Sequence, residues 1–280
     1  VGYKALAANV SDIAAMGGEP KFALVSVCVP PAWSEERMRR LYDGLYECAE
    51  HYGVAVIGGD TTSAPQDLVV AVTVIGAVEA GRAIRRSGAR PGQAVFLTGP
   101  TGLSAAGLHA LQRIAAAEGA KRDRLAALLP PRLAQAHRRP VPSVKAGRIL
   151  AETGWGTSLN DVSDGVASEA WELAEASGVR LVLKEKLLPL SGGLSAYAGD
   201  NGLRATDLAL FGGEDYVLLG TADKSCEQEL RERLRAEGIP LFVVGEVEEG
   251  PPGVELEEAD TGLRKPLAKR GYNHFAEGAV

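Results

Sequence analysis

Cysteine is scarce: Cys28, Cys48 and Cys226 are widely spaced and odd in number, which suggests neither a disulfide framework nor a zinc site. A reducing cytoplasm is the expected compartment. Long apolar runs are missing too. The stretch from Leu68 to Ile75 is of strand length, far short of a bilayer, and no signal-peptide pattern opens the chain, so no membrane partner is expected. There is no long basic run, and a formal net charge of −6 makes nucleic acid an unexpected partner. The four histidines, His51, His109, His137 and His274, show no ligand spacing and read as surface or packing residues. What is present is ordinary for a globular enzyme: 46% hydrophobic and 24% charged residues argue against disorder. A length of 280 residues suits about two domains.

The most informative stretch is Gly58-Gly59-Asp60-Thr61-Thr62 after the run Val54 to Ile57. It reads as a buried strand delivering a carboxylate to a sharp turn, with glycine allowing the backbone close to a ligand. Carboxylate and hydroxyl oxygens suit a hard cation such as Mg²⁺. The competing reading is a strand-end turn capped by Asp and Thr.

Around it the pattern alternates helix and strand. Lys4 to Met16 is helical, with Leu6, Val10, Ile13 and Ala14 near one face and the polar Asn9, Ser11 and Asp12 interrupting it. Val1 is not a starting methionine and no cap precedes this helix, so the chain reads as the interior of a longer polypeptide. Lys21 to Val29 is a strand; Ser34 caps a helix to about His51, which Gly53 ends. Leu68 to Val78 is a strand expected to be covered on both faces. The basic, turn-rich joint Ala83 to Gly92 marks a boundary between domains 1–88 and 89–280, and its arginines can pair with a polyphosphate.

The second half opens with strand Ala94 to Thr98, a glycine turn and an Ala-rich helix from Ser104, an anion-friendly arrangement without the Gly-Lys-Ser/Thr of a Walker loop. Lys121 to Arg139, broken at Pro130-Pro131, and the helix Val144 to Glu152 carry no chemical signal. Asp161-Val162-Ser163-Asp164-Gly165 enters a helix from Val166. Its two carboxylates repel unless a cation lies between them, which favours metal binding over capping. Leu181 to Leu183 and Ala209 to Phe211 are strand-like. The second leads into Gly212-Gly213-Glu214-Asp215-Tyr216, which repeats the device of glycine pair, acid and strand. Residues 223–237 form a charged amphipathic helix and Leu241 to Val247 a strand. The end is polar and glycine-rich, with Tyr272, His274 and Phe275.

In this order these motifs resemble the thiamine-monophosphate kinase family, within the superfamily of ATP-binding proteins typified by aminoimidazole ribonucleotide synthetase. The likeness runs from Gly2-Tyr3-Lys4-Ala5-Leu6 to Gly271-Tyr272-Asn273-His274-Phe275. It implies an α/β (α+β) fold of two domains: an N-terminal sheet domain that dimerises and a C-terminal α/β domain, in a cytoplasmic homodimer. It also implies ATP-dependent conversion of thiamine monophosphate to thiamine diphosphate by direct transfer, with Mg²⁺ and with ATP as co-substrate. Carried over by position, Asp12, Asp60, Asp161 and Asp164 match metal-binding aspartates, with Asp60 and Asp164 the catalytic pair. Tyr42, Gly59, Asp60, Arg86 and Ser163 match positions that touch ATP, although Arg82 and Arg85 share the loop of Arg86. Glu214 and Tyr272 match positions at the thiamine end. Two departures stand out: the family's N-terminal segment, with further acids and a substrate-contacting His, has no counterpart here, and Leu103 stands where Asp is common.

The physical reading agrees with this. Two phosphorylated anions meet where carboxylates replace a lysine cluster, which requires Mg²⁺ to bridge phosphate oxygens. The acceptor phosphate is already ionised, so positioning and electrostatics supply the rate without a strong base. Two rivals stay open on the sequence: a synthetase of the same superfamily that activates an amide or formyl oxygen, and a nucleotide-binding maturation partner.

Overall fold

The computed structural model describes residues 1–271, which build two sheets around a shared helix. That helix, α1 (Gly2–Ala15), buries Leu6, Ala7, Val10, Ser11, Ala14 and Ala15. The spacing puts apolar groups on more than one face, as a helix between two layers needs.

Strand β1 (Glu19–Val29), helix α2 (Glu35–Tyr52) and strand β2 (Ala55–Ser63) form a parallel crossover unit. Ser34 caps α2 by accepting the Arg37 N–H, Glu35 and Glu36 face the positive end of its dipole, and Gly53 closes it in the left-handed conformation. Strand β3 (Val69–Ala77) adds antiparallel to β1, giving the order β2-β1-β3. Helices α1 and α2 cover one face, where Leu6, Val10, Val25, Val27, Leu41 and Leu45 pack together. Each fully buried Leu or Val there stabilises the fold by about 1.5–3 kcal/mol.

The other face is open, contrary to the expectation for Leu68 to Val78. Along β3 the residues alternate between exposed and half-buried, and Phe22, Leu24, Ile57, Val69 and Ile75 are all accessible. Because both faces of the strand are apolar, its composition imitates a doubly covered strand. A second correction concerns Gly58-Gly59-Asp60. The chain makes no sharp turn there: β2 runs straight through to Ser63 and is exposed over most of its length. The pairing slips between Ala23 and Leu24 so that Ile57 is the extra residue of a bulge. Gly59, at φ 148°, lets the backbone approach its neighbour strand, since a Cβ would lie 1.8 Å from the carbonyl oxygen of Val25. The close approach is to β1, within the sheet.

The remaining chain gives β4 (Ala94–Leu97), α3 (Leu103–Ala115), α4 (Gly119–Leu128), α5 (Pro131–Arg138), α6 (Val144–Thr153), β5 (Gly156–Asp161), α7 (Val166–Ser177) and β6 (Arg180–Lys184). It continues with α8 (Gly192–Asp200), α9 (Ala205–Phe211), β7 (Leu218–Ala222), α10 (Glu227–Ala236), β8 (Phe242–Glu248), β9 (Gly253–Glu257) and β10 (Arg264–Pro266). The seven-stranded sheet has the order β10-β9-β6-β8-β4-β7-β5. All of β4 is buried: Val95 and Leu97 belong to the same core as Leu173 of α7, while Phe96 belongs to the core that holds Leu150 of α6 and Leu230 of α10. Ala209 to Phe211, expected as a strand, closes helix α9. Three apolar residues carry no period, so length alone could not separate the two. The polar, glycine-rich end holds β9 and β10. Among the described residues no helix is long and apolar enough to cross a membrane.

The sheets are joined through α1 and α6. A Cβ on Gly147 of α6 would stand 2.2 Å from the carbonyl oxygen of Ala14, and Arg148 donates to the carbonyl of Gly17 and to Glu79. Gly147→Val forces these helices apart. It is expected to lower the unfolding free energy by about 2–3 kcal/mol, seen as a reduced urea midpoint; an unchanged midpoint would mean that the contact can relax freely.

Candidate active site

Two of the motifs meet because β5 and β7 are neighbours in the sheet. Beyond the strands the loops stay joined by backbone: Val162 N–H donates to Val217 (2.8 Å), Tyr216 N–H to Val162 (3.0 Å) and Glu214 N–H to Ser163 (2.7 Å). Glu214 and Tyr216 sit at φ 64° and 54°, in the left-handed region that ordinary residues avoid. Such conformations cost on the order of 1–3 kcal/mol each and persist only where the surroundings impose them. Asp215 between them does so. Its carboxylate accepts the N–H groups of Gly102 (2.5 Å) and Ser104 (3.1 Å) at the start of α3. The helix N-terminus that the sequence offered to a phosphate is therefore taken by an anion of the chain itself. Burial, with Glu214 adding to it, pushes the Asp215 carboxyl up to about 7 against the pull of those N–H donors.

Helix α1 supplies the opposite wall. Ser11, fully buried, donates to Oδ2 of Asp161 at 2.6 Å. Asp161 is pushed up to about 6, chiefly by burial and further by the charge of Asp12. Asp12 is solvent-accessible, but loss of part of its hydration raises its pKa while Arg86 pulls it down. Asp12, Arg86, Asn160 and Asp161 line one cavity of about 430 Å³. Arg86 reaches Asn160 (3.2 Å) and Glu172 (3.0 Å). Asn160 in turn donates to Glu169, a buried carboxylate that also accepts from Ser163 Oγ (3.2 Å) and the Asp164 N–H (3.1 Å). Burial, with Glu172, Asp161 and Asp164 adding to it, raises Glu169 to about 8. The N-cap position of helix α7 is Gly165, a residue with no side chain to cap with, so neither aspartate occupies it.

A second cavity, of about 750 Å³, is lined by Lys4, His137, Ser163, Asp164, Glu214 and Tyr216 among others. His137 of α5, expected as a surface or packing residue, is part-buried at this cavity. It stands 3.2 Å from Ser104 Oγ and 3.4 Å from both Lys4 and Glu214.

The structure thus gathers Asp12, Arg86 and Asp161 at one cavity and Ser163, Asp164 and Glu214 at the other. Tyr42, Gly59 and Asp60 line neither. They form a third group at β2: Tyr42 hydroxyl lies 3.5 Å from Thr61 Oγ1, and the Thr61 N–H donates to Asp60 at 2.8 Å. Asp60 pairs with Ser26 of β1 on the exposed strand. Tyr272 lies outside the described residues. Among the described residues no group of three or more His, Cys, Asp or Glu is arranged to hold a metal ion. Asp12 and Asp161 nevertheless fit a share in a divalent site, because Asp12 disfavours the charged form of Asp161 and a hard cation relieves such repulsion. Sequence reasoning passed over Lys4, Glu169 and His137. Lys4 had a signal, since Lys4, Ser11 and Asp12 stand at i, i+7 and i+8 on one helical stripe; His137 and Glu169 had none.

Comparison with known proteins bears on this geometry. The family model described as AIR synthase related protein, N-terminal domain, matches residues 1–78, and that for the C-terminal domain matches residues 90–256. The fold and site therefore define an AIR synthase related protein. Thiamine-monophosphate kinase of Bacillus subtilis strain 168 is 42% identical over 275 residues, covering 98% of this chain and 81% of the relative. The solved structure of AaThiL complexed with AMPPCP and TMP superposes with a TM-score of 0.81 at 32% identity, over 98% of this chain and 80% of that one. The chain belongs to the thiamine-monophosphate kinase family. The hydrogenase maturation protein HypE in complex with ATP shares the fold, at a TM-score of 0.77 and 19% identity over 95% of this chain and 78% of that one.

The raised carboxyl of Asp215 sets a pH signature. An unfolded Asp loses its proton near pH 4, whereas the folded group holds it to about 7. In that window the native state binds more protons, so this group's contribution to stability falls as pH rises from 4 to 7 and is level above. Asp215→Asn removes the titration. Urea unfolding of both proteins should show the native chain losing ground to the variant by up to about 1.4 kcal/mol per pH unit between pH 5 and 7; parallel profiles would contradict the assignment.

Proposed function

We propose that this protein phosphorylates thiamine monophosphate to thiamine diphosphate with ATP as co-substrate, by direct in-line transfer of the γ-phosphoryl group. The observation that carries this reading is the kinship at 42% identity over 98% of the chain, and the paired acids at the two cavities supply the chemistry. Asp12, Asp161 and Asp164 with Asp60 would hold Mg²⁺, which would supply positive charge to neutralise the phosphates as charge develops on them. Ser11 fixes the Asp161 carboxylate toward that role, and Glu169 holds the Ser163–Asp164 turn. Arg86, Ser163, Tyr42 and Gly59 serve ATP; Glu214 and Tyr272 serve the thiamine end. No residue needs to act as a strong base, since the acceptor oxygen is already ionised. The likeness to HypE extends to the fold alone and does not favour a maturation role. We divide the chain into domains 1–88 and 89–280, on the turn-rich joint between the two sheets, and place the reaction in the cytoplasm, which suits three free cysteines.

Production of thiamine diphosphate from ATP, Mg²⁺ and thiamine monophosphate, with free thiamine as control acceptor, tests the reaction. Product from the monophosphate alone is expected, and ATP binding without product would sink it. Asp60→Asn should cut turnover by about 100-fold or more while leaving the melting temperature close to that of the parent, because the residue is exposed; a variant with full activity would remove Asp60 from the machinery.

The open face of the first sheet favours a homodimer formed through it. Phe22, Leu24, Ile57, Val69 and Ile75 give that face an apolar area which a second copy would bury. It is also the sheet that carries Asp60. Sedimentation should find a dimer for the parent protein and a monomer for Leu24→Glu, and a variant that stays dimeric would place the interface elsewhere.

A further inference from the structure

One ion pair crosses between the two sheets at the larger of the two site cavities. Lys4 Nζ, from α1, lies 2.7 Å from Oε2 of Glu214 and 3.4 Å from Nδ1 of His137. An ammonium group has only donors, so both partner atoms must accept from it. The lone pair of His137 then sits on Nδ1 and its proton on Nε2, an assignment made from this network. Burial and the charge of Lys4 hold the His137 pKa below its ordinary value against the pull of Glu214, in keeping with a neutral ring. A neutral ring with Nδ1 as acceptor gives no proton to Glu214 Oε2, 3.4 Å away. Among the described residues Lys4 is therefore the cation that holds the Glu214 side chain. Both near contacts fall on Oε2.

The backbone of Glu214 is fixed as firmly as its head group. Its N–H is tied to Ser163 and its φ of 64° is imposed by the loop around it. The side chain is thus held at one end by the second sheet's loops and at the other by a helix packed on the first sheet. Its second oxygen, Oε1, makes no hydrogen bond with the described residues, and the residue lines the cavity of about 750 Å³.

We infer that Lys4 is a positioning residue for the acceptor substrate: by anchoring Oε2 of Glu214 from α1, with His137 behind it, Lys4 presents Oε1 as the acceptor for an N–H donor, such as a ring amino group, in that cavity. This rests on the proposed reading in which Glu214 serves the thiamine end. It goes further in giving that carboxylate a fixed orientation that exists only when α1 is docked against the second domain.

Steady-state kinetics of Lys4→Met, Lys4→Arg and Glu214→Gln, with thiamine monophosphate and ATP varied in turn, test it. Lys4→Met should raise KM for thiamine monophosphate by about tenfold or more while KM for ATP moves less than about twofold, the pattern of lost acceptor binding. Lys4→Arg should recover most of the loss. In the double variant with Glu214→Gln the two effects should fail to add, because one acts through the other. Lys4→Ala, which a helix accepts readily, replaces the methionine variant if that one folds poorly. An unchanged KM for thiamine monophosphate, a parallel rise for both substrates, or additive effects would overturn the inference with the reaction left standing. A parent protein that makes no thiamine diphosphate would instead overturn the proposed reaction, and this inference with it.

Discussion

Helix α1 is packed on both sides, and the remainder of the structure is arranged around that constraint. Its Leu6 and Val10 belong to the core of the first sheet, while Ala15 reaches the core under the second. Its C-terminal turn lies so close to α6 that only glycine fits at position 147. A helix enclosed in this way has little solvated face to spare. Each polar residue on its inner stripe needs a partner, because an unpaired polar group costs about 1–3 kcal/mol when buried. Ser11 finds Asp161 and Lys4 finds Glu214. The requirements of packing and the placement of the site are therefore one requirement.

The second organising force is desolvation of carboxylates. Asp161, Asp215 and Glu169 are raised to about 6, 7 and 8, in each case by burial first. Their partners separate their duties. Asp215 spends its oxygens on the N-terminus of α3 and holds a strained loop in shape. Glu169 gathers Ser163, the Asp164 backbone and Asn160 into one network that reaches Arg86. Asp161 faces Asp12, a like charge, and this is the arrangement that gains from a cation.

Much of this was legible along the chain. The cap at Ser34 and the stop at Gly53 bound α2, since both act on backbone groups within a few residues. The motif order carried the family, and the alternation of helix and strand carried the fold class. The local signals misled where a neighbour strand or a distant loop supplied the answer. Gly59 accommodates Val25 of the adjoining strand. The open face of β3 depends on which layers cover it, and α9 was hidden because three apolar residues have no period.

Sequence by itself determined the acids, their order, the capped helices and the polar stripe of α1, because each is written in residue type and short-range spacing. Only the tertiary structure decided which acids meet. Asp161 shares a cavity with Asp12 from 149 positions earlier, His137 enters the other cavity beside Lys4, and Asp215 fills the helix end that looked ready for phosphate. Spacing along a helix or strand is set by local geometry, whereas burial and charge pairing act between elements far apart in the chain and exist only once those elements are packed.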